Sequence, residues 1–221
     1  MALGYRGNAT WRDMSEYVVH FTKEVTGRSA YDSMMMILSG LRLEPGLPLG
    51  AARKLGAITP PQSSTCLSEI PLDRLDRLVA RRSQYGIGFR QDVVTAAGGG
   101  RVWYVDRDTA LANAVWDAMK AASGPPMQAD HPIWRLTPFI DFPGDYEGTQ
   151  YRFEWEREWR VPGGLEFKPD QVAFLFIPEE LHANAREFFD EARAEHRGPC
   201  YDCPFIDPLW PDEAIQAALP D

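Results

Sequence analysis

Apolar and polar positions along the chain change period several times, and each change marks an element. Tyr17-Val18-Val19-His20-Phe21 is a short run of β-branched and aromatic residues, which predicts a strand. Ser29 then reads as an N-cap, and Tyr31, Met34, Met35 and Leu38 follow at helical spacing until Gly40. Residues 44–64 carry four prolines and three glycines and predict a long loop. Thr65–Ile70 is read as a short strand. Pro71 opens a helix with Leu72, Leu75, Leu78 and Val79 on one face. Tyr85–Phe89 (YGIGF) is read as a strand, Gly98–Gly100 as a turn, Arg101–Val105 (RVWYV) as a strand and Thr109–Ser123 as a helix.

Ile133–Phe142 is mixed and partly extended. Tyr151–Val161 (YRFEWEREWRV) alternates. Tyr151, Phe153, Trp155, Trp159 and Val161 share one parity, with Arg157 as the exception, while Arg152, Glu154, Glu156, Glu158 and Arg160 share the other. Period two predicts a strand with its aromatic face toward the core. Gln171–Ile177 is read as a buried strand, and 178–196 as a helix with Leu181, Phe188, Phe189 and Ala192 inward. Residues 212–219 form a last short helix. This mixed order predicts an α+β fold rather than a regular βαβ alternation.

Composition narrows the class. The chain has 221 residues, with 23 Lys and Arg against 32 Asp and Glu, for a net charge of −9. Such a balance argues against coating nucleic acid through bulk charge, while leaving room for a small basic cleft. The longest apolar stretch, Val172–Pro178, has strand length, far below the roughly 18 residues of a membrane helix. The N-terminus has no apolar signal-peptide core, and three cysteines do not describe a secreted disulfide scaffold. The expectation is a soluble cytoplasmic protein. Its domain spans 17–199, after a polar segment 1–16 and before a tail 200–221 that packs Phe205 and Trp210 onto the domain. The seven Trp are read mostly as core, with Trp103 on a central strand.

Candidate chemistry centres on Glu154, Glu156 and Glu158. On one strand face they are either a solvated row laced with salt bridges or a source of a catalytic carboxylate. His20 ends its strand before a loop, where site residues gather, or is a structural histidine. Tyr85 offers a ring for stacking, with room cleared by two alternate glycines, or is a core tyrosine. There is no GxGxxG after a strand, no GxxxxGK[ST], no GxSxG and no HExxH, so Rossmann, P-loop and serine-hydrolase or zincin readings fall away. Cys200-x-x-Cys203 with His196 lacks the full ligand set of a zinc site, and no metal is expected.

The strings His20-Phe21-Thr22 and Ile37-Leu38-Ser39-Gly40-Leu41 resemble the opening of DarT-type ADP-ribosyltransferases. CLSEIPL (66–72), YGIGF (85–89), VWYV (102–105) and EREWRV (156–161) resemble a bacterial group of abortive phage-resistance proteins. The resemblance spans about residues 17–177. It implies a split, mixed β-sheet with flanking helices, ADP-ribosyltransferase-like, that takes NAD as substrate in the cleft between its halves. His20, with Thr22, would hold the ribose. Tyr85, in preference to Tyr104, would stack on the nicotinamide. Glu158, with Glu156 as the competing choice, would be the catalytic carboxylate. The acceptor would be a nucleic-acid base or a protein side chain, and an antitoxin or phage protein a possible partner. Two other readings stand beside this one. In the first, the same fold is a non-catalytic defence or immunity protein. In the second, weaker one, the three glutamates are the ligands of a metal-dependent nuclease.

Overall fold

The structure, a computed structural model, describes residues 14–58, 62–69, 75–146, 149–151 and 153–219. The expectations for residues 1–13, for Ile70 to Leu72 and for Arg152 lie outside the described residues. In chain order the first strands are β1 (Tyr17–Phe21), β2 (Arg42–Leu43), β3 (Ser64–Glu69), β4 (Gly86–Arg90), β5 (Gly100–Arg101), β6 (Trp103–Tyr104) and β7 (Ile140–Asp141). They are followed by β8 (Gly144–Tyr146), β9 (Thr149–Tyr151), β10 (Glu158–Pro162), β11 (Leu165–Glu166), β12 (Val172–Phe176) and β13 (Phe205–Ile206). The helices are α1 (Ala30–Gly40), α2 (Leu75–Arg81), α3 (Gln91–Ala96), α4 (Ala110–Ser123), α5 (Ile133–Leu136), α6 (His182–Ala194) and α7 (Asp212–Ala218). The protein is therefore α+β, with a mixed sheet and helices, as the order of elements predicts. The chain divides into two compact units. One holds Met1–Leu43, Leu67–Val94 and Glu166–Asp221, and the other Glu44–Cys66 and Thr95–Leu165.

In the first unit the strand order is β13-β12-β4-β1-β3. β1 runs antiparallel to β4 with His20 opposite Ile87, and Val18 faces Glu69 of β3. β12 is antiparallel to β4 and parallel to β13. The strand expected at Tyr85–Phe89 forms one residue later, at Gly86–Arg90. Its glycines have a packing cause. A Cβ on Gly88 would fall 2.5 Å from the Phe174 ring, and one on Gly86 would fall 2.7 Å from Val19 Cγ1. Both glycines are thus accounted for by close packing within the core.

Helix α1 starts where expected, with the Ser29 hydroxyl accepting from the Asp32 N–H at 3.0 Å. Met34 and Leu38 are buried from its inner face. Its stop is shifted: Gly40 stays helical and Leu41 takes the left-handed cap at φ 54°. The Tyr201 hydroxyl donates to the Leu38 carbonyl at 2.6 Å. The segment read as a tail therefore holds a buried tyrosine and the sheet strand β13. Helix α6 buries Ala185, Phe189 and Ala192, while Phe188 is exposed.

In the second unit the expected loop at 44–64 holds a 3-10 turn at Gly56–Ile58 and a bridge between Pro48 and Ser63. It buries Ala52 and Ile58 in a core with Val115, Met119, Trp134 and Phe142. Thr109 caps α4 through its hydroxyl. Two predicted strands are corrected here. RVWYV is not continuous: Arg101 pairs antiparallel with Trp159, but Trp103 pairs parallel with Ile140. The break falls at Val102, whose N–H donates to the Glu158 carbonyl at 2.8 Å. Trp103 is not core but 51% exposed.

The second correction concerns YRFEWEREWRV. β9 ends at Tyr151, Glu154–Glu156 form a 3-10 turn, Arg157 takes φ 46°, and β10 begins at Glu158. The three glutamates do not share a strand face. Glu154 is exposed, Glu156 is 4% exposed, and Glu158 alone of the three lies on the strand. Arg160, expected on the wet face, is fully buried.

Among the described residues no helix is long and apolar enough to cross a membrane.

Candidate functional site

The candidate residues fall into two groups, one in each unit. In the first unit the antiparallel pairing of β1 with β4 brings His20, Thr22 and Tyr85 together. His20 is half-buried opposite Ile87, and Phe21 lies opposite Gly86, the residue after Tyr85. The Thr22 N–H donates to the Tyr85 carbonyl at 3.1 Å, and the Thr22 hydroxyl donates to the Ala30 carbonyl at 2.7 Å. Thr22 is buried and ties the end of β1 both to the start of α1 and to Tyr85. Its hydroxyl proton is thus already engaged.

The Tyr85 ring meets Tyr31 edge-on at 5.7 Å, a pair that the sequence reading did not make. Burial, and then the negative charge of Glu180, raise the pKa of Tyr85. Burial, and then Tyr85, raise that of Tyr31. Both phenols are therefore neutral donors at ordinary pH.

In the second unit the elements converge on Glu158. The Tyr104 hydroxyl, on β6, donates to Glu158 Oε2 at 2.8 Å. Arg160, two residues along β10 and so on the same face, reaches both carboxylate oxygens. Its Nη1 donates to the Pro138 carbonyl at 2.7 Å and its Nη2 to Asp141 Oδ2 at 2.9 Å. Asp141 in turn takes Arg53 Nη1 on Oδ1 at 3.1 Å. Burial opposes the Arg160 charge, but Glu158 and then Asp141 outweigh it, so its pKa lies above the ordinary arginine value. The side chains of Arg160 and Asp141 are each 1% exposed, whereas that of Glu158 keeps 12%. The carboxylate is thus the one member of its ion pair with a surface to offer.

The sequence reading found Glu158 and Tyr104 but missed Asp141, Arg53 and the buried role of Arg160. The signal was there. Asp141 is an isolated carboxylate in the apolar run Phe139-Ile140-Asp141-Phe142, and Arg160 sits between Trp159 and Val161. A lone charge in an apolar run implies a buried partner.

Among the described residues no group of three or more His, Cys, Asp or Glu is placed to hold a metal ion. With the glutamate row broken by the 3-10 turn, the ligand set of the nuclease reading is not assembled. Comparison with protein-family models, with curated proteins and with solved structures finds no match to the chain.

Proposed function

We propose that the protein is an NAD-dependent ADP-ribosyltransferase of the toxin or anti-phage defence type, passing ADP-ribose to a nucleic-acid base or a protein side chain. One observation carries this reading: a partly exposed carboxylate, Glu158, held in a single orientation by Arg160 and Tyr104. Breaking the bond between nicotinamide and ribose sends the bonding electron pair to nicotinamide and leaves positive charge on the ribose carbon. An anion fixed in advance beside that carbon stabilises it without reorganising. The acceptor nucleophile then bonds the same carbon and gives up its proton. On this reading Glu158 is the catalytic carboxylate. His20 holds the ribose and Tyr85 offers its ring to the nicotinamide. Thr22, its hydroxyl proton engaged, shapes the strand end. The resemblance to DarT-type enzymes supports the same roles.

A second reading has its own observation. Both oxygens of Glu158 already receive hydrogen bonds, as in a structural ion pair, which favours a non-catalytic defence or immunity protein that binds a partner.

Incubation with labelled NAD and bacterial nucleic acid or protein, in the presence of a chelator, separates the two. The transferase releases nicotinamide and labels a macromolecule, and Glu158→Gln stops both while keeping its fold. A folded wild-type protein that releases no nicotinamide with any acceptor sinks the transferase reading and leaves the binding one.

A further inference from the structure

The second unit contains a cavity of about 360 Å³ that Glu158, Tyr104, Arg160 and Asp141 do not line, although Arg53 touches both. Arg53, Lys54, Arg107 and Lys120 line it, and none of the described lining residues is acidic. Four cationic side chains thus line one cavity in a chain whose net charge is −9, and one of them, Arg53, also pairs with Asp141. They come from three separate segments, so neighbourhood in sequence does not explain the cluster. Trp116 and Phe142 supply the apolar wall. The indole stacks on the Phe142 ring at 4.8 Å with 19° between planes, and Trp116 is still 46% exposed. A large ring braced from behind by a buried ring is a rigid platform for another flat ring. Trp116 and Lys120 are four residues apart on α4, so platform and cation share one helix face.

A flat ring and several cations together recognise a base that carries phosphates. The volume lies at the small end of the range of about 300–1,000 Å³ for small-molecule sites, which suits one nucleotide rather than two joined. Four cations call for more than one phosphate. We propose that this cavity binds a free nucleoside diphosphate, with its base on Trp116 and its phosphates on Arg53, Lys54, Arg107 and Lys120. Arg53 is braced for this task by hydrogen bonds to the Gly50 carbonyl and to Asp141, both at 3.1 Å. The site stands whether or not Glu158 acts on NAD.

Calorimetry on the whole chain, with ADP as the probe, tests the proposal. ADP is expected to saturate at one per chain, about tenfold or more tighter than adenosine or inorganic phosphate, and to weaken as salt rises. Lys120→Glu, at an exposed position of α4, and Trp116→Ala each weaken ADP about tenfold or more. Circular dichroism confirms that each variant is folded. ADP that does not saturate in the millimolar range, or binds folded Lys120→Glu as it binds the wild type, overturns the proposal. So does NAD or a short single-stranded oligonucleotide that displaces ADP at lower concentration, since the cavity would then serve the donor or a strand.

Discussion

Arg160 grips Glu158 side-on, Nε to Oε1 at 2.9 Å and Nη2 to Oε2 at 3.0 Å. A planar fork matched to a carboxylate in this way fixes direction as well as distance. Because Nη2 also serves Asp141, one buried guanidinium balances two carboxylates. Arg160→Met would leave Asp141 buried with one cation fewer, and removing one partner from such a pair costs about 3–5 kcal/mol. Urea unfolding is expected to show that loss. Arg160→Lys keeps the charge but not the fork, so it should recover part of the stability while freeing Glu158 to turn. Equal stability of Arg160→Met and wild type would contradict the ion-pair account.

Gly88 tests the packing of the first unit. An alanine methyl there would meet the Phe174 ring at 2.5 Å, and β4 lies between β12 and β1, with no free side toward which to yield. Overpacking of this kind costs about 1–3 kcal/mol. Gly88→Ala should therefore lower the urea midpoint, and pairing it with Phe174→Leu should return part of the loss. Additive losses in the double variant would show that the ring is not what excludes the methyl.

Alkaline pH is expected to weaken the fold through Cys203. Burial pushes its thiol up to about 12, only partly offset by Arg186. An unfolded chain loses that proton near the ordinary thiol value of about 8.5, so between about 8.5 and 12 the folded state holds one proton more. Stability then falls as pH rises through that window and is unaffected by this group below it. The urea midpoint followed from pH 7 to 11 checks the slope, and Cys203→Ala should flatten it. Tyr201, whose pKa burial raises above the ordinary value, adds to the same trend.

Much of the fold was legible because local signals agreed with tertiary ones. β1 matches its apolar run residue for residue, α1 starts at its Ser29 cap, and α4 follows Thr109. The failures share a cause. Parity in YRFEWEREWRV was read through Arg157, the single position that broke it, and that residue takes the left-handed turn that ends the pattern. Pattern counts residues at a fixed period, so a 3-10 turn inserted between two strands leaves polar residues on plausible positions while changing where they point. Hence Glu156 and Arg160 are buried instead of wet. RVWYV failed for a different reason. Its β-propensity is real, but propensity does not name the partner, and the segment changes partner at Val102. Of the candidate site, the residue types at the Glu158 carboxylate were visible, whereas the pairing of Arg160 with Asp141, and of Asp141 with Arg53, joins segments far apart in the chain and is found only in three dimensions.

The parallel pairing of β12 with β13 carries a consequence for how the chain is made. Leu175 and Phe176 find Phe205 and Ile206 only after helix α6 has been laid between them. On a ribosome β12 emerges first and waits with one edge bare for about thirty residues of further synthesis, a span of seconds at the usual rate of about 5–20 residues per second. A bare apolar edge is what other chains pair with. The last strand of the first unit thus works as a closure, and the interval before it arrives is the period in which this protein is most exposed to the wrong neighbour.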